Sequence, residues 1–111
     1  MKLIVTVVQG KDADNLRSAL MDAGLRSTQI NSAGGFLRES NATFLVGVDD
    51  ASVPDVLRIV KQTCYTRTQY VNPLLPIMEP GEFYMPNPIE VQVGGAAVFI
   101  CNVHRYERIF S

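Results

Sequence analysis

The chain has 111 residues, enough for one compact domain and too few for two ordinary ones. Apolar residues make up 47% and charged residues 19%, the balance of a folded globular protein rather than a disordered one. Ten basic against eleven acidic residues give a net charge of −1. That excludes the broad basic face that duplex nucleic acid requires, but not a small anion held by one or two arginines.

The start, Met1-Lys2-Leu3-Ile4-Val5-Thr6-Val7-Val8, is apolar and reaches Gln9 without a small-residue cleavage site. It reads as a first strand, apolar on both faces and therefore central in its sheet, rather than as a signal peptide. No apolar run approaches the roughly 20 residues of a membrane span, so the expected setting is the cytoplasm, with no membrane partner.

Asp12 is placed to cap a helix whose apolar positions Leu16, Ala19, Leu20 and Ala23 keep helical spacing, and Gly24 ends it. Residues 26–33 and 42–48 read as two further strands. A second helix is expected from Ser52, with Pro54 in its first turn, Asp55 in a capping-box position and a stripe of Val53, Val56, Leu57, Val60 and Cys64. Residues 65–88 carry five prolines and no clear periodicity, the pattern of a long, flexible loop. Ile89–Val93, Gly94-Gly95 and residues 96–103 then give a last strand or a hairpin, followed by a polar tail. Gly94-Gly95 suits a sharp bend or a strand crossing.

This order predicts a single α+β domain over 1–111 on the ferredoxin-like β-α-β-β-α-β plan, with two helices on one face of an antiparallel sheet. The apolar strands leave the other face in need of a cover, for which a symmetric oligomer is the natural solution.

The residues make no positive case for an enzyme. His104 stands alone near a terminus, without triad partners. Asp49-Asp50 precede the second helix, where carboxylates complement the helix N-terminus better than they suggest a metal. Neither a Walker A motif nor a GxGxxG fingerprint is present. Cys64 and Cys101 have no Cys or His at metal-ligand spacing and read as a reduced pair buried as small hydrophobes.

The segment Gly34 to Gly47 offers more. Adjacent glycines let backbone approach a ligand, the Phe36 ring can stack on a base, and Asn41 presents the donor and acceptor that match an adenine edge. Arg26 and Thr28, one strand earlier, could hold a phosphate and a further polar edge. On the residues alone a plainer reading competes and has the stronger claim: a bulge at Gly34-Gly35, core positions at Phe36 and Leu37, and a hairpin turn at Asn41.

The run Thr28-x-x-x-x-x-Gly34-Gly35-Phe36-Leu37-Arg38, then Asn41-x-Thr43-Phe44-Leu45-x-Gly47-Val48, resembles the PII-like cyclic-di-AMP receptors of Gram-positive bacteria. So do Gln62-Thr63-Cys64 and Glu90-Val91-x-Val93-Gly94-Gly95-Ala96-x-Val98-Phe99. The resemblance covers nearly the whole chain. It implies a homotrimer with cyclic di-AMP between neighbouring subunits, no catalysis and no cofactor, and loops that order on binding and signal to an unidentified protein target. It implies that Phe36 and Leu37 pack on an adenine, that Asn41 meets its hydrogen-bonding edge, and that Thr28 and Arg26 contact base or phosphate. Gly35 and Gly47 would allow close approach, and Ser27 would add a backbone contact. The short loop at about 38–41 and the long one at 65–88 reverse the loop lengths of nitrogen-regulatory PII proteins. A sensor of ATP, ADP or AMP, and a structural or metal-tolerance trimer of the same fold, are the alternatives. Gly24, the long loop and the tail from His104 to Ser111 are the least family-like parts.

Overall fold

The first strand, β1 (Lys2–Gln9), divides its side chains between two environments. Ile4, Thr6 and Val8 are buried, whereas Leu3, Val5 and Val7 are only half-buried. The computed structural model describes residues 1–32, 40–71 and 88–110. In it α1 (Gly10–Asp22) follows β1 directly, then β2 (Thr28–Ser32) and β3 (Asn41–Val48). A short 3-10 turn (Asp50–Ser52) leads into α2 (Val53–Thr63), and β4 (Arg67–Val71), β5 (Ile89–Val93) and β6 (Ala96–Asn102) complete the order.

Among the described residues two sheets form: a four-stranded sheet in the order β2-β3-β1-β6 and a separate two-stranded ribbon of β4 and β5. All pairings are antiparallel. The larger sheet with two helices on one face is the ferredoxin-like arrangement expected, and β1 is central in it. Ile4 and Val8 meet Phe44 and Val46 of β3, Leu16 and Leu20 of α1, and Val56, Ile59 and Val60 of α2 in one buried cluster. The spacing of each apolar stripe, 2 on the strands and 3.6 on the helices, delivers those side chains to a common layer. The thiol of Cys64 closes the end of that layer, and burial pushes its pKa up. Cys101 departs from expectation. It is exposed, because its place opposite Leu3 puts it on the sheet face that no described helix covers.

Helix ends differ from the sequence expectation in instructive ways. At the end of α1 the Leu25 N–H bonds to the Leu20 carbonyl and the Gly24 N–H to that of Met21, the paired bonds of a Schellman motif, with Gly24 at φ +73°. Its start is set by Gln9 rather than Asp12. Asp12 is buried at 1% exposure and grips the Arg67 guanidinium with both carboxylate oxygens, at 2.8 and 3.4 Å. Ser52 makes no side-chain cap on α2, since the 3-10 turn occupies that place. Asp55 pairs with Arg58 at 3.0 Å. Asp50 pairs with the N-terminal ammonium at 3.1 Å, and that bond, aided by Lys2, holds its carboxyl below the usual range.

The stretch 65–88 is not loop throughout, for Arg67–Val71 forms β4. Its described side chains alternate little in hydropathy and lie exposed or half-buried, so pairing with β5 rather than burial defines it. Residues 89–102 form two strands that belong to different sheets, and Gly94 and Gly95, at φ +86° and +85°, carry the chain from one to the other. The Gly94 N–H bonds to Gln9 Oε1 at 2.8 Å and the Gly95 N–H to the Cys64 carbonyl at 2.6 Å. Arg67 completes the junction through the Tyr65 carbonyl at 3.2 Å.

Two stability predictions follow from this packing. A Cβ at Gly94 would overlap the Tyr65 carbonyl oxygen and sit at a strained φ, so Gly94→Ala is expected to lower stability by at least about 1–3 kcal/mol in urea unfolding. The Thr6 hydroxyl is buried at 1% with no hydrogen-bond partner among the described residues. Thr6→Val keeps the shape and removes an unsatisfied group, and should raise stability by about 1 kcal/mol.

Candidate functional site

Where β2 and β3 meet the start of β1, an open groove of about 980 Å³ runs along the protein. Its apolar lining comes from Leu3 and Leu45, diagonal to each other across β1 and β3 on the uncovered sheet face, and from Met1. Its polar side is the short connection that Gly24 starts and β2 ends: Arg26, Ser27, Thr28 and Gln29. Met21 of α1, 67% exposed, and Tyr106 of the tail also border it.

Four of the expected site residues, Arg26, Ser27, Thr28 and Gly47, thus line one groove. Arg26 precedes β2 instead of standing in it, since the strand begins at Thr28 rather than at 26. Its exposed guanidinium makes no hydrogen bond or ion pair among the described residues, so the groove carries a cation available to an anion. Nearby Arg17 is already engaged, at 2.8 Å from Asp14 and 3.0 Å from Gln29 Oε1.

Gly47 stands opposite Leu3 on β1 and is exposed. Its backbone has no positive φ, and a Cβ there would meet only the mobile end of the Met1 side chain at 3.4 Å. Neither the turn geometry nor the packing among the described residues asks for glycine, and glycine inside a strand costs stability. What the missing side chain provides is clearance into the groove.

Asn41 lies elsewhere. It opens β3, paired with Gln9 on one side and Ser32 on the other, and borders a separate hollow of about 320 Å³ with Gly10, Asp14, Asn31 and Ser40. Gly47 is six positions farther along the strand, about 20 Å at ordinary rise. Gly35, Phe36 and Leu37 lie outside the described residues. Around Asn41 the Gly10 N–H bonds to the Ser40 carbonyl at 2.7 Å, which ties the start of β3 to the start of α1.

Met21 and Tyr106 were not among the residues expected from sequence. Met21 falls off the Leu16-Ala19-Leu20-Ala23 stripe, which was a readable sign of an exposed apolar side chain. For Tyr106 no sequence signal existed, because the tail reaches the groove only through a tertiary contact, the Val103 N–H on the Met1 carbonyl at 3.2 Å. No group of three or more His, Cys, Asp or Glu side chains among the described residues could hold a metal. No described helix is long and apolar enough to cross a membrane.

A ferredoxin-like domain with an anion-ready groove at its sheet end is the class that fold and site define. The family described as "Cyclic-di-AMP receptor" matches residues 1–109. The crystal structure of a functionally unknown protein from Pediococcus pentosaceus ATCC 25745 is similar, at 38% identity and a TM-score of 0.74, over 97% of this chain and 96% of that one. The chain belongs to the PII-like cyclic-di-AMP receptor family.

If Gly47 is kept for clearance alone, Gly47→Ala should leave the melting temperature unchanged or raise stability by about 0.5–1 kcal/mol. A lower melting temperature would show instead that the fold requires glycine there.

Proposed function

We propose that this protein is a non-catalytic cyclic-di-AMP receptor that binds the nucleotide between subunits of a homotrimer. The observation that carries this reading is the division of the candidate residues between two ends of β3. Arg26, Ser27, Thr28 and Gly47 share one groove, whereas Asn41 lies about 20 Å away in the same chain. A second subunit that presents its Asn41 end to the first subunit's groove would complete a site that each subunit holds only in part.

The uncovered sheet face supports such an assembly. Thr28, Leu45, Val5 and Phe99 lie side by side across it, with Ile30, Thr43, Val7 and Ala97 in the adjacent row. Phe99 is 58% and Ile30 51% exposed, an apolar band that monomeric proteins seldom leave bare. In this assembly Arg26 contacts a phosphate, Thr28 and Asn41 a base, and Phe36 and Leu37 pack on an adenine. Gly35, Gly47 and the Ser27 backbone then permit close approach. Loops order around the ligand and pass the signal to a protein target.

Titration calorimetry should show saturable cyclic-di-AMP binding with a ligand-to-subunit ratio of about 1. Arg26→Ala and Asn41→Ala should each abolish or strongly weaken it while the oligomer persists by light scattering. Cys101, on the covered face of that oligomer, should then react slowly with a thiol reagent. Folded protein with no heat of binding at concentrations on the order of 10 µM would sink the reading, and stronger competition by ATP, ADP or AMP would reassign it to another adenine nucleotide.

A further inference from the structure

We infer that Tyr106, in the tail beyond β6, is a nucleobase-stacking residue of the Arg26 groove. The inference rests on the cyclic-di-AMP reading above and adds a contact that it does not contain.

The described tyrosines differ in what occupies them. The Tyr65 ring is covered by the Arg67 guanidinium, 5.2 Å from its centroid. Tyr70 is exposed, but its hydroxyl donates to Glu90 Oε1 at 3.1 Å across the ribbon. Tyr106 is 61% exposed, and neither its ring nor its hydroxyl makes a ring contact or hydrogen bond among the described residues. It is also the described tyrosine that borders the groove holding Arg26, Thr28 and Gly47. Elsewhere in the tail, Phe110 is already engaged, under the Arg108 guanidinium at 4.7 Å from its centroid.

The backbone explains how the tail reaches this place. Val103 continues the β6 edge by bonding to the Met1 carbonyl, and Met1 and Leu3 are themselves groove residues. The chain therefore leaves the sheet at the groove, and Tyr106 follows three residues later. An aromatic ring with a bare face, beside an unpaired guanidinium and a strand glycine, is suited to a planar base attached to a phosphate. Every base has a π face, so the ring adds affinity without reading one edge. Arg26 takes the charge and Tyr106 the base.

The test compares wild type, Tyr106→Phe and Tyr106→Ala by calorimetry with cyclic di-AMP, and by intrinsic fluorescence. The chain has four tyrosines and no tryptophan, so its ultraviolet emission is tyrosine emission. Tyr106→Phe keeps the ring and should bind within about threefold of wild type, whereas Tyr106→Ala should bind about tenfold more weakly, the loss of one stacked base. Nucleotide should quench wild-type emission, and the quench should shrink in Tyr106→Phe although binding remains. Melting temperatures should not change, since the side chain is not packed in the core. If wild type binds while Tyr106→Ala binds equally well, or if the quench survives in Tyr106→Phe, this assignment is wrong and the receptor reading stands. If wild type does not bind, the receptor reading falls and the assignment falls with it.

Discussion

Two helices can cover only one face of a four-stranded sheet, and the rest of this structure depends on that shortage. α1 and α2 bury Ile4, Thr6 and Val8 of β1 and their partners on β3. Leu3, Val5 and Val7, on the alternate positions of the same strand, are left half-buried. The groove opens where this uncovered face meets the β1–β2 end of the domain. Its apolar lining and the apolar band beside it therefore belong to one continuous surface, and whatever covers the band also approaches Arg26 and Gly47.

A second organising point lies at the other end of β1. Gln9 accepts the Gly94 N–H from the ribbon's end, and the neighbouring Gly10 N–H bonds to Ser40 just before β3. Asp12, one helical turn on, holds Arg67 at the ribbon's other strand. A buried carboxylate would be costly without a partner, and the two-pronged guanidinium contact satisfies both of its oxygens. The ribbon is thus fastened to the domain at both strands. A two-stranded ribbon is marginal by itself in water, so that fastening accounts for β4 and β5 as defined strands.

Much of this was legible in the sequence because its causes are local. The double-sided apolar run of β1, the stripes of both helices, Gly24 as a helix stop and Gly94-Gly95 as a crossing all follow from spacing and backbone freedom. What failed to show depended on distant partners. Asp12 has the look of a helix cap, and only Arg67, far along the chain, makes it one half of an ion pair. Arg67–Val71 lacks a strand's apolar alternation because pairing with β5 sustains it. Cys101 is apolar in type yet exposed, since strand register decides its face. The same division holds at the site. Arg26, Ser27, Thr28 and Gly47, singled out by residue type, line one groove, whereas Tyr106 is brought there by a tertiary contact alone. Separation of Asn41 from that groove is likewise a matter of where β3 begins and ends.

The position of β6 also bears on how the domain is assembled in time. β1 pairs with β3 in the first half of the chain, but its other edge waits for β6, whose Ala96–Asn102 lie near the opposite end. Closing so long a loop carries a larger entropic cost than zipping the β2–β3 hairpin, and such non-local pairing slows folding. Until β6 arrives, one edge of a mostly apolar β1 offers unpaired backbone to any extended segment, with Lys2 its single charge. A nascent chain carries this vulnerability until β6 has been made, and pairing with β6 removes it.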